Sequence, residues 1–310
     1  MREMTQSTPE KIGSYLELHR HLDGSLRPRT LAELASDVGV VVPPNLRFYP
    51  GMGLREALTC FEVTLAALQT PEAVERVAAE MCEDARSEGT RHLEIRFAPH
   101  LHEGALPEEI VDAALSGVSG RAGLILCGLY HHPPSIFDHL VEIARTRPRV
   151  VGIDLAGAPQ STDRWGMRDY ASAFSRARDL GIGRTVHAGE GRPPREIRDA
   201  IEVLHADRIG HGTTLLDDAQ VLDLVLERGV TIEACPTSNV QTSSIPTLED
   251  HPLPRWLTLG VKACICTDNT LFSEVDAPEE HRRARQIPGM TDALIDQAIA
   301  HAGAAIFPAR

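Results

Sequence analysis

The sequence predicts a parallel (β/α)8 barrel, and three observations lead there. Its 310 residues suit one large α/β unit. Eight short, mostly apolar runs alternate with amphipathic helical stretches, the pattern that builds a parallel sheet. The competing open, doubly wound sheet would place a glycine-rich phosphate loop after an early strand, and this chain carries none. Residues 1–13 are polar and are expected to form a flexible tail, with residues 14–310 making a single barrel domain.

In chain order, the run YLELHRHLDGS, residues 15–25, carries β1. A helix opens at Arg27–Ala35 with Pro28 in its first turn, where the missing N–H costs nothing. Leu54, Ala57, Leu58, Phe61, Leu65 and Leu68 fall at helical spacing. Thr70 is a suitable N-cap for a third helix running to Glu88. Strand and helix then alternate, with β2 at Arg91–Pro99, β3 at Gly123–Tyr130, β4 at Val150–Gly157, β5 at Arg184–Glu190, β6 at Asp207–Thr213, β7 at Val230–Thr237 and β8 at Val261–Asn269. Amphipathic helices are expected at Asp169–Leu180, Pro193–Leu204, Ala219–Arg228, Pro278–Gln286 and Thr291–His301. The β1–β2 connection, residues 26 to 90, far exceeds an ordinary βα loop. Its helices are expected to cover the barrel mouth as a lid.

Apolar residues make up 42% of the chain and charged residues 24%, with a net charge of -13. A surface that acidic repels phosphate backbones and anionic headgroups, so neither nucleic acid nor a membrane is expected as a partner. A small neutral ligand in a local pocket remains compatible with it. No apolar run reaches the roughly 18 residues of a membrane span, and residues 1–13 lack the apolar segment of a secretory signal. The six cysteines, at positions 60, 82, 127, 235, 264 and 266, form no Cys-x-x-Cys pair. They read as small core hydrophobes of a reduced, cytoplasmic protein.

Chemistry in such a barrel gathers at the C-terminal ends of the strands. His19 and His21 alternate onto one face of β1 with Arg20 on the other. His187 ends β5 with Glu190 three residues on, His211 ends β6, and Asp268 ends β8 with Asn269 next. Each has an ordinary alternative: His187 as a hydrogen-bonded buried histidine, Asp268 as a helix cap, Glu190 as a carboxylate favoured by a helix dipole. Four strands ending in ligand-type residues point instead to one catalytic metal. Three imidazoles and one carboxylate suit zinc, with Zn–N about 2.0–2.1 Å, better than magnesium or calcium. Cys264 and Cys266 share the face of Asp268 but lie deeper, and Glu17 shares the face of the two histidines but lies lower; all three are read as structural. A zinc-bound water reaches a pKa of about 7. His211 and Asp268 are placed to orient it and accept its proton, and Glu190, if burial keeps it protonated, to donate to a substrate.

The runs ELHRHLDGSLRP, LEIRFAPHLH, GIDLAG, HAGEG, RIGHGT, EACPTSN and CTDN resemble, in order and spacing, the adenosine deaminase family of the amidohydrolase superfamily. The resemblance implies zinc-dependent hydrolytic deamination of a purine nucleoside at C6, adenosine or 2′-deoxyadenosine to inosine or 2′-deoxyinosine, with release of ammonia. It implies one zinc per chain on His19, His21, His187 and Asp268. It further implies that Glu190 protonates ring N1, that His211 helps activate the water, and that Gly157 offers its N–H to ring N3. Asp23 meets the ribose, with His21 also beside the substrate. Related base deaminases typically carry Glu where Asp23 stands, so HLDG favours a nucleoside over a free base. Leu54, Leu58 and Phe61 resemble the hydrophobic lid.

Two departures bear on the substrate. Asn269 replaces an Asp that bonds N7 in the family, and its amide donates a hydrogen bond without titrating. Ala158-Pro159 replaces a common Asp-Glu after the N3 contact. The alternative substrate is a modified adenine nucleoside, 5′-substituted or of the aminodeoxyfutalosine type, on the same site. No Arg or Lys cluster stands at the expected rim to clamp a phosphate. The sequence leaves the oligomeric state open.

Overall fold

The structure, a computed structural model, describes residues 15–310, so the expected tail of residues 1–13 lies outside the described residues. Eight strands pair in parallel in sequence order: β1 (Tyr15–His21), β2 (Thr90–Phe97), β3 (Gly123–Leu129), β4 (Val150–Ala156), β5 (Gly183–Ala188), β6 (Arg208–His211), β7 (Thr231–Ala234) and β8 (Lys262–Ile265). The barrel closes where Arg20 bridges Asp268. There the Asp268 N–H donates to the His19 carbonyl at 2.9 Å, and the His21 N–H donates to the Asp268 carbonyl at 2.8 Å. The closing seam therefore runs through residues that the sequence marks as metal ligands.

Helices α1 (Pro28–Val38), α2 (Leu54–Ala67) and α3 (Pro71–Ser87) fill the long β1–β2 connection. Thr70 caps α3, its hydroxyl accepting the Ala73 N–H at 3.3 Å. Then come α4 (Pro107–Val118), α5 (Pro134–Arg145), α6 (Met167–Asp179), α7 (Arg195–Glu202) and α8 (Ala219–Arg228), one after each of β2 to β6. Short α9 (Pro236–Gln241) and α10 (Leu253–Thr258) follow β7; α11 (Thr270–Ser273), α12 (Ala277–Ala284) and α13 (Asp292–Ala305) follow β8.

The main core lies between strands and helices, where Leu124, Leu126, Ile153, Leu155, Val186, Ile209 and Ile232 are all fully buried. Inside the barrel, Leu16 and Leu18 pack on Cys235, Cys264, Cys266 and Ala302, which bears out the reading of the two β8 cysteines as packing. Above them the interior is charged rather than layered with aliphatics. Arg208 binds Glu94 at 2.6 Å and Glu233 at 2.9 Å, while Arg96 binds Glu233 and Asp154, each at 2.9 Å. Buried charge of this kind is tolerated only when each group is paired, and here the pairs link into one network.

The expected position of Glu17 is overturned. β1 carries a bulge between Glu17 and Arg20, which breaks the period-two alternation. Glu17 therefore lies beside Arg20, 3.5 Å away, and accepts from the Thr267 hydroxyl at 2.7 Å instead of sitting beneath the histidines.

Candidate active site

His19, His21, His187 and Asp268 converge at the C-terminal mouth of the barrel. The Nε2 atoms of His21 and His187 lie 3.2 Å apart, and Asp268 Oδ1 is 3.4 Å from the Nε2 atoms of both His19 and His21. The inner ring nitrogens are already committed. His19 Nδ1 donates to Glu233 at 2.7 Å, and His187 Nδ1 donates to Asp154 at 3.1 Å. These carboxylates fix the tautomer that leaves the Nε2 lone pairs pointing at one another. Burial also pushes His21 and His187 below the ordinary imidazole range, so both rings are neutral. Burial opposes ionisation of Asp154 and Glu233. Even so, His187 and Arg96 for the first, and Arg96 and Arg208 for the second, hold them well below the usual carboxylate range. The fully buried His19 Nε2 meets no hydrogen-bond donor. Against burial and Arg96, hydrogen bonds with Asp268 and Glu233 raise His19 above the ordinary imidazole value, so a bound cation would displace a proton there; three imidazoles converging on one carboxylate are a donor set that fits zinc.

His211, at the end of β6, and Asp268, three residues beyond β8, are in the left-handed region, with φ of 69° and 63°. That turn matters for His211. Along β6, Arg208 faces the barrel interior, so straight alternation would send residue 211 outward. Its ring instead stacks edge-on against His19, with centroids 5.1 Å apart. A directed chain sets its proton. The Leu253 N–H donates to His251 Nδ1 at 3.2 Å, His251 Nε2 donates to Asn239 Oδ1 at 3.2 Å, and Asn239 Nδ2 donates to His211 Nδ1 at 3.0 Å. Because a backbone N–H can only donate, every later role in the chain follows from it. Burial keeps His211 neutral, its proton is on Nε2, and that atom stands 3.8 Å from Glu190. Burial raises Glu190 to about 7 against the pull of Arg192. The Thr242 hydroxyl donates to Glu190 at 3.0 Å, and the Ser238 hydroxyl to Asp268 Oδ2 at 2.6 Å.

These groups border a small cavity of about 50 Å³, roofed by Leu54, Leu58 and Phe61 of α2, which bears out the lid. It adjoins a chamber of about 440 Å³ that shares His21, Leu58, Phe61 and Gly157 and holds Asp23. Gly157 has φ 80°, and among the described residues its N–H donates no backbone hydrogen bond. Asp23 Oδ1 is buried without a partner. Asn269 Oδ1 packs so tightly on Gly24 that a Cβ there would lie 1.8 Å from it, which turns the amide N–H₂ toward the cavity. Of the nine residues singled out in the sequence, seven line the inner cavity, Asp23 lines the adjoining chamber, and His19 lies buried among the other imidazoles.

Sequence reasoning passed over Asp154 and Glu233, which orient the histidines, and Ser238, Asn239 and Thr242, which orient Asp268, His211 and Glu190. It also passed over Arg192, whose guanidinium is 4.0 Å from Glu190 but is engaged by Glu196 at 2.7 Å. The strand signal was available: Asp154 and Glu233 are lone carboxylates inside buried apolar runs.

The adenosine deaminase family profile matches residues 15–308. An adenosine deaminase from Clostridium perfringens is 35% identical over 290 residues, 86% of this chain and 85% of that protein. Among solved structures, an adenine deaminase from Arthrobacter aurescens superposes with a TM-score of 0.86 at 24% identity, covering 95% of this chain and 94% of the other. An Arabidopsis N6-mAMP deaminase superposes with a TM-score of 0.83 at 25% identity, covering 96% and 94%. A profile spanning nearly every described residue and a full-length relative above 30% identity agree with the barrel and with its cluster of imidazoles, and this chain belongs to the adenosine deaminase family.

Proposed function

We propose that this hydrolytic deaminase converts adenosine or 2′-deoxyadenosine to inosine or 2′-deoxyinosine and ammonia, using one zinc ion per chain on His19, His21, His187 and Asp268. The observation that carries the reading is the set of converging Nε2 atoms of His19, His21 and His187 around Asp268, beside a glutamic acid raised to about 7. When bound, the metal supplies a water acidic enough to lose a proton near neutral pH.

The remaining steps belong to side chains. His211 holds the water oxygen through its Nε2–H. This assigns proton acceptance to Asp268 alone, because the Asn239 amide leaves His211 no lone pair facing the site. Glu190 passes its proton to ring N1, which makes C6 electrophilic. As water adds and the C6–N6 bond breaks, Asp268 delivers its proton to N6 and ammonia leaves. The hydroxyl proton of the adduct returns to Glu190 as the C6 carbonyl forms. Gly157 N–H to N3 and the Asn269 amide to N7 fix the ring's orientation, and Asp23 accepts from a ribose hydroxyl beside His21.

Among the described residues, no Arg or Lys lines the inner cavity or the adjoining chamber, which favours a nucleoside over a nucleotide such as the one in the Arabidopsis relative's name. The chamber is mostly apolar, with Phe97, Leu101 and Leu129 in its wall. This leaves a 5′-substituted adenine nucleoside as the second reading. All six cysteines are buried and unpaired, which supports a reducing, cytoplasmic setting. Among the described residues no helix is long and apolar enough to cross a membrane. The test is ammonia release by zinc-loaded protein from adenosine, 2′-deoxyadenosine, 5′-substituted adenosines, free adenine and AMP, compared as kcat/KM. Adenosine or its deoxy form should lead the series. Preference for a 5′-substituted compound would transfer the assignment to the second reading, and turnover of none would reject both.

A further inference from the structure

At the end of the barrel opposite the deaminase site, the starts of β5 to β8 and the ends of α6 and α8 enclose a second cavity of about 780 Å³. Its lining reverses the sign of a chain whose net charge is -13. Some of its cations are already answered. Arg184 binds Asp207 at 2.6 Å, and Arg178 binds Asp179 at 3.0 Å. Arg208, in the floor, is consumed by Glu94 and Glu233. Among the described residues, no carboxylate meets Arg228 or Lys262, both exposed and both lining the cavity. The space therefore faces two positive charges beyond those its acids neutralise.

A third donor stands with them. His205 is held at φ 54°, left-handed backbone that a non-glycine residue rarely adopts. Its Nε2 accepts from Arg178 at 3.1 Å, so the neutral ring carries its proton on Nδ1. Burial first, and then the guanidiniums of Arg178, Arg184 and Arg228, hold His205 below the ordinary imidazole range, so three arginines act on one ring. Arginines in the last turn of a helix also answer the helix dipole, which accounts for Arg178 and Arg228 singly. It does not account for Lys262, the first residue of a strand. The Lys262 ammonium lies against Gly229, where an added Cβ would come within 3.1 Å of Nζ, next in sequence to Arg228.

We propose that this cavity is a binding site for a phosphate-bearing ligand, whose phosphoryl oxygens are held by Arg228, Lys262 and the Nδ1–H of His205. Two unanswered cations match a phosphate dianion, and the guanidinium fork suits its oxygens. The site is independent of the deaminase reading, because none of these residues borders the active-site cavity.

The test is calorimetric titration of the intact, zinc-loaded enzyme at low salt with inorganic phosphate, pyrophosphate and GTP, which has no 6-amino group to lose. At least one should bind with Kd of about 1 mM or tighter, and more weakly as salt rises. A single phosphate binding as well as the rest identifies a monophosphoryl ligand; pyrophosphate binding more tightly identifies a polyphosphate; GTP binding most tightly identifies a nucleotide. The double variant R228A/K262A should weaken binding by about tenfold or more, while its melting temperature and deaminase turnover stay at wild-type values. Should that variant fold poorly, K262Q alone, read by 31P line broadening of the same probes, serves in its place. No binding of any probe at about 10 mM, or equal affinity in wild type and the variant, would overturn the proposal.

Discussion

Replacing Glu190 by Gln separates catalysis from stability at one carboxyl. Burial raises Glu190 from its ordinary 4.5 to about 7, against Arg192, which lowers it. In the unfolded chain the group ionises near its ordinary value. Below that pH both states hold the proton and the residue is neutral toward folding. As pH rises from 4.5 to 7 the unfolded chain ionises while the folded protein stays protonated, so wild type loses about 1.4 kcal/mol per pH unit. Above 7 the accumulated deficit is constant at about 3 kcal/mol. A glutamine at this position never ionises, and its oxygen can still accept from Thr242, as Glu190 does at 3.0 Å. In chelated protein, urea unfolding followed by circular dichroism should show E190Q equal to wild type near pH 4 and up to about 3 kcal/mol more stable at about pH 8. The zinc-loaded variant should lose about 10²- to 10⁴-fold in kcat, since Gln cannot give N1 a proton. A stability difference that does not change with pH would refute the protonated glutamic acid. Turnover within tenfold of wild type would refute its role as donor.

Asp154→Asn removes the negative charge that holds His187 Nδ1 at 3.1 Å and one of the two oxygens shared between His187 and Arg96. Zinc affinity, read by competition with a chelator, should fall about 10- to 100-fold, with some loss of stability because Glu233 becomes the one carboxylate paired with Arg96 among the described residues. His251→Phe removes both nitrogens through which the donor chain from Leu253 passes. It should lower kcat by about tenfold or more with KM and bound zinc nearly unchanged; an unchanged kcat would remove His251 from the positioning of His211. If the Asn269 amide donates to N7, wild type should prefer adenosine over its 7-deaza analogue by about 1 kcal/mol in kcat/KM, and Asn269→Ala should erase that preference while slowing adenosine.

What could be read from the residues follows from what each type of element demands. Strands buried on both faces are apolar runs, and their order with the helices gave the barrel. The candidate ligands were legible because imidazoles and carboxylates at strand ends are unusual in such runs. The misplacement of Glu17 has a local cause: period two holds only for a regular ladder, and the β1 bulge inserts a residue that no hydrophobic pattern reports. β7 was expected to run to Thr237, but it stops at Ala234, and Pro236 opens α9. That turn of helix brings Ser238 and Asn239 to the site and leads to Thr242 just beyond it, which a strand reading conceals. β8 likewise ends at Ile265, so Asp268 reaches the cluster of imidazoles through a left-handed turn and not along the ladder. Two of the four buried ion pairs of Arg96 and Arg208, those to Glu233 and Glu94 respectively, join residues more than a hundred positions apart, which spacing along the chain cannot reveal.

Three imidazoles and one aspartate are proposed to share a single ion. Anomalous diffraction at the zinc edge, from crystals of purified enzyme, tests it most directly. One strong peak is predicted, about 2.0–2.2 Å from Nε2 of His19, His21 and His187 and from an oxygen of Asp268, at full occupancy in each chain. A peak held by other residues, or none in protein that still deaminates adenosine, would contradict it.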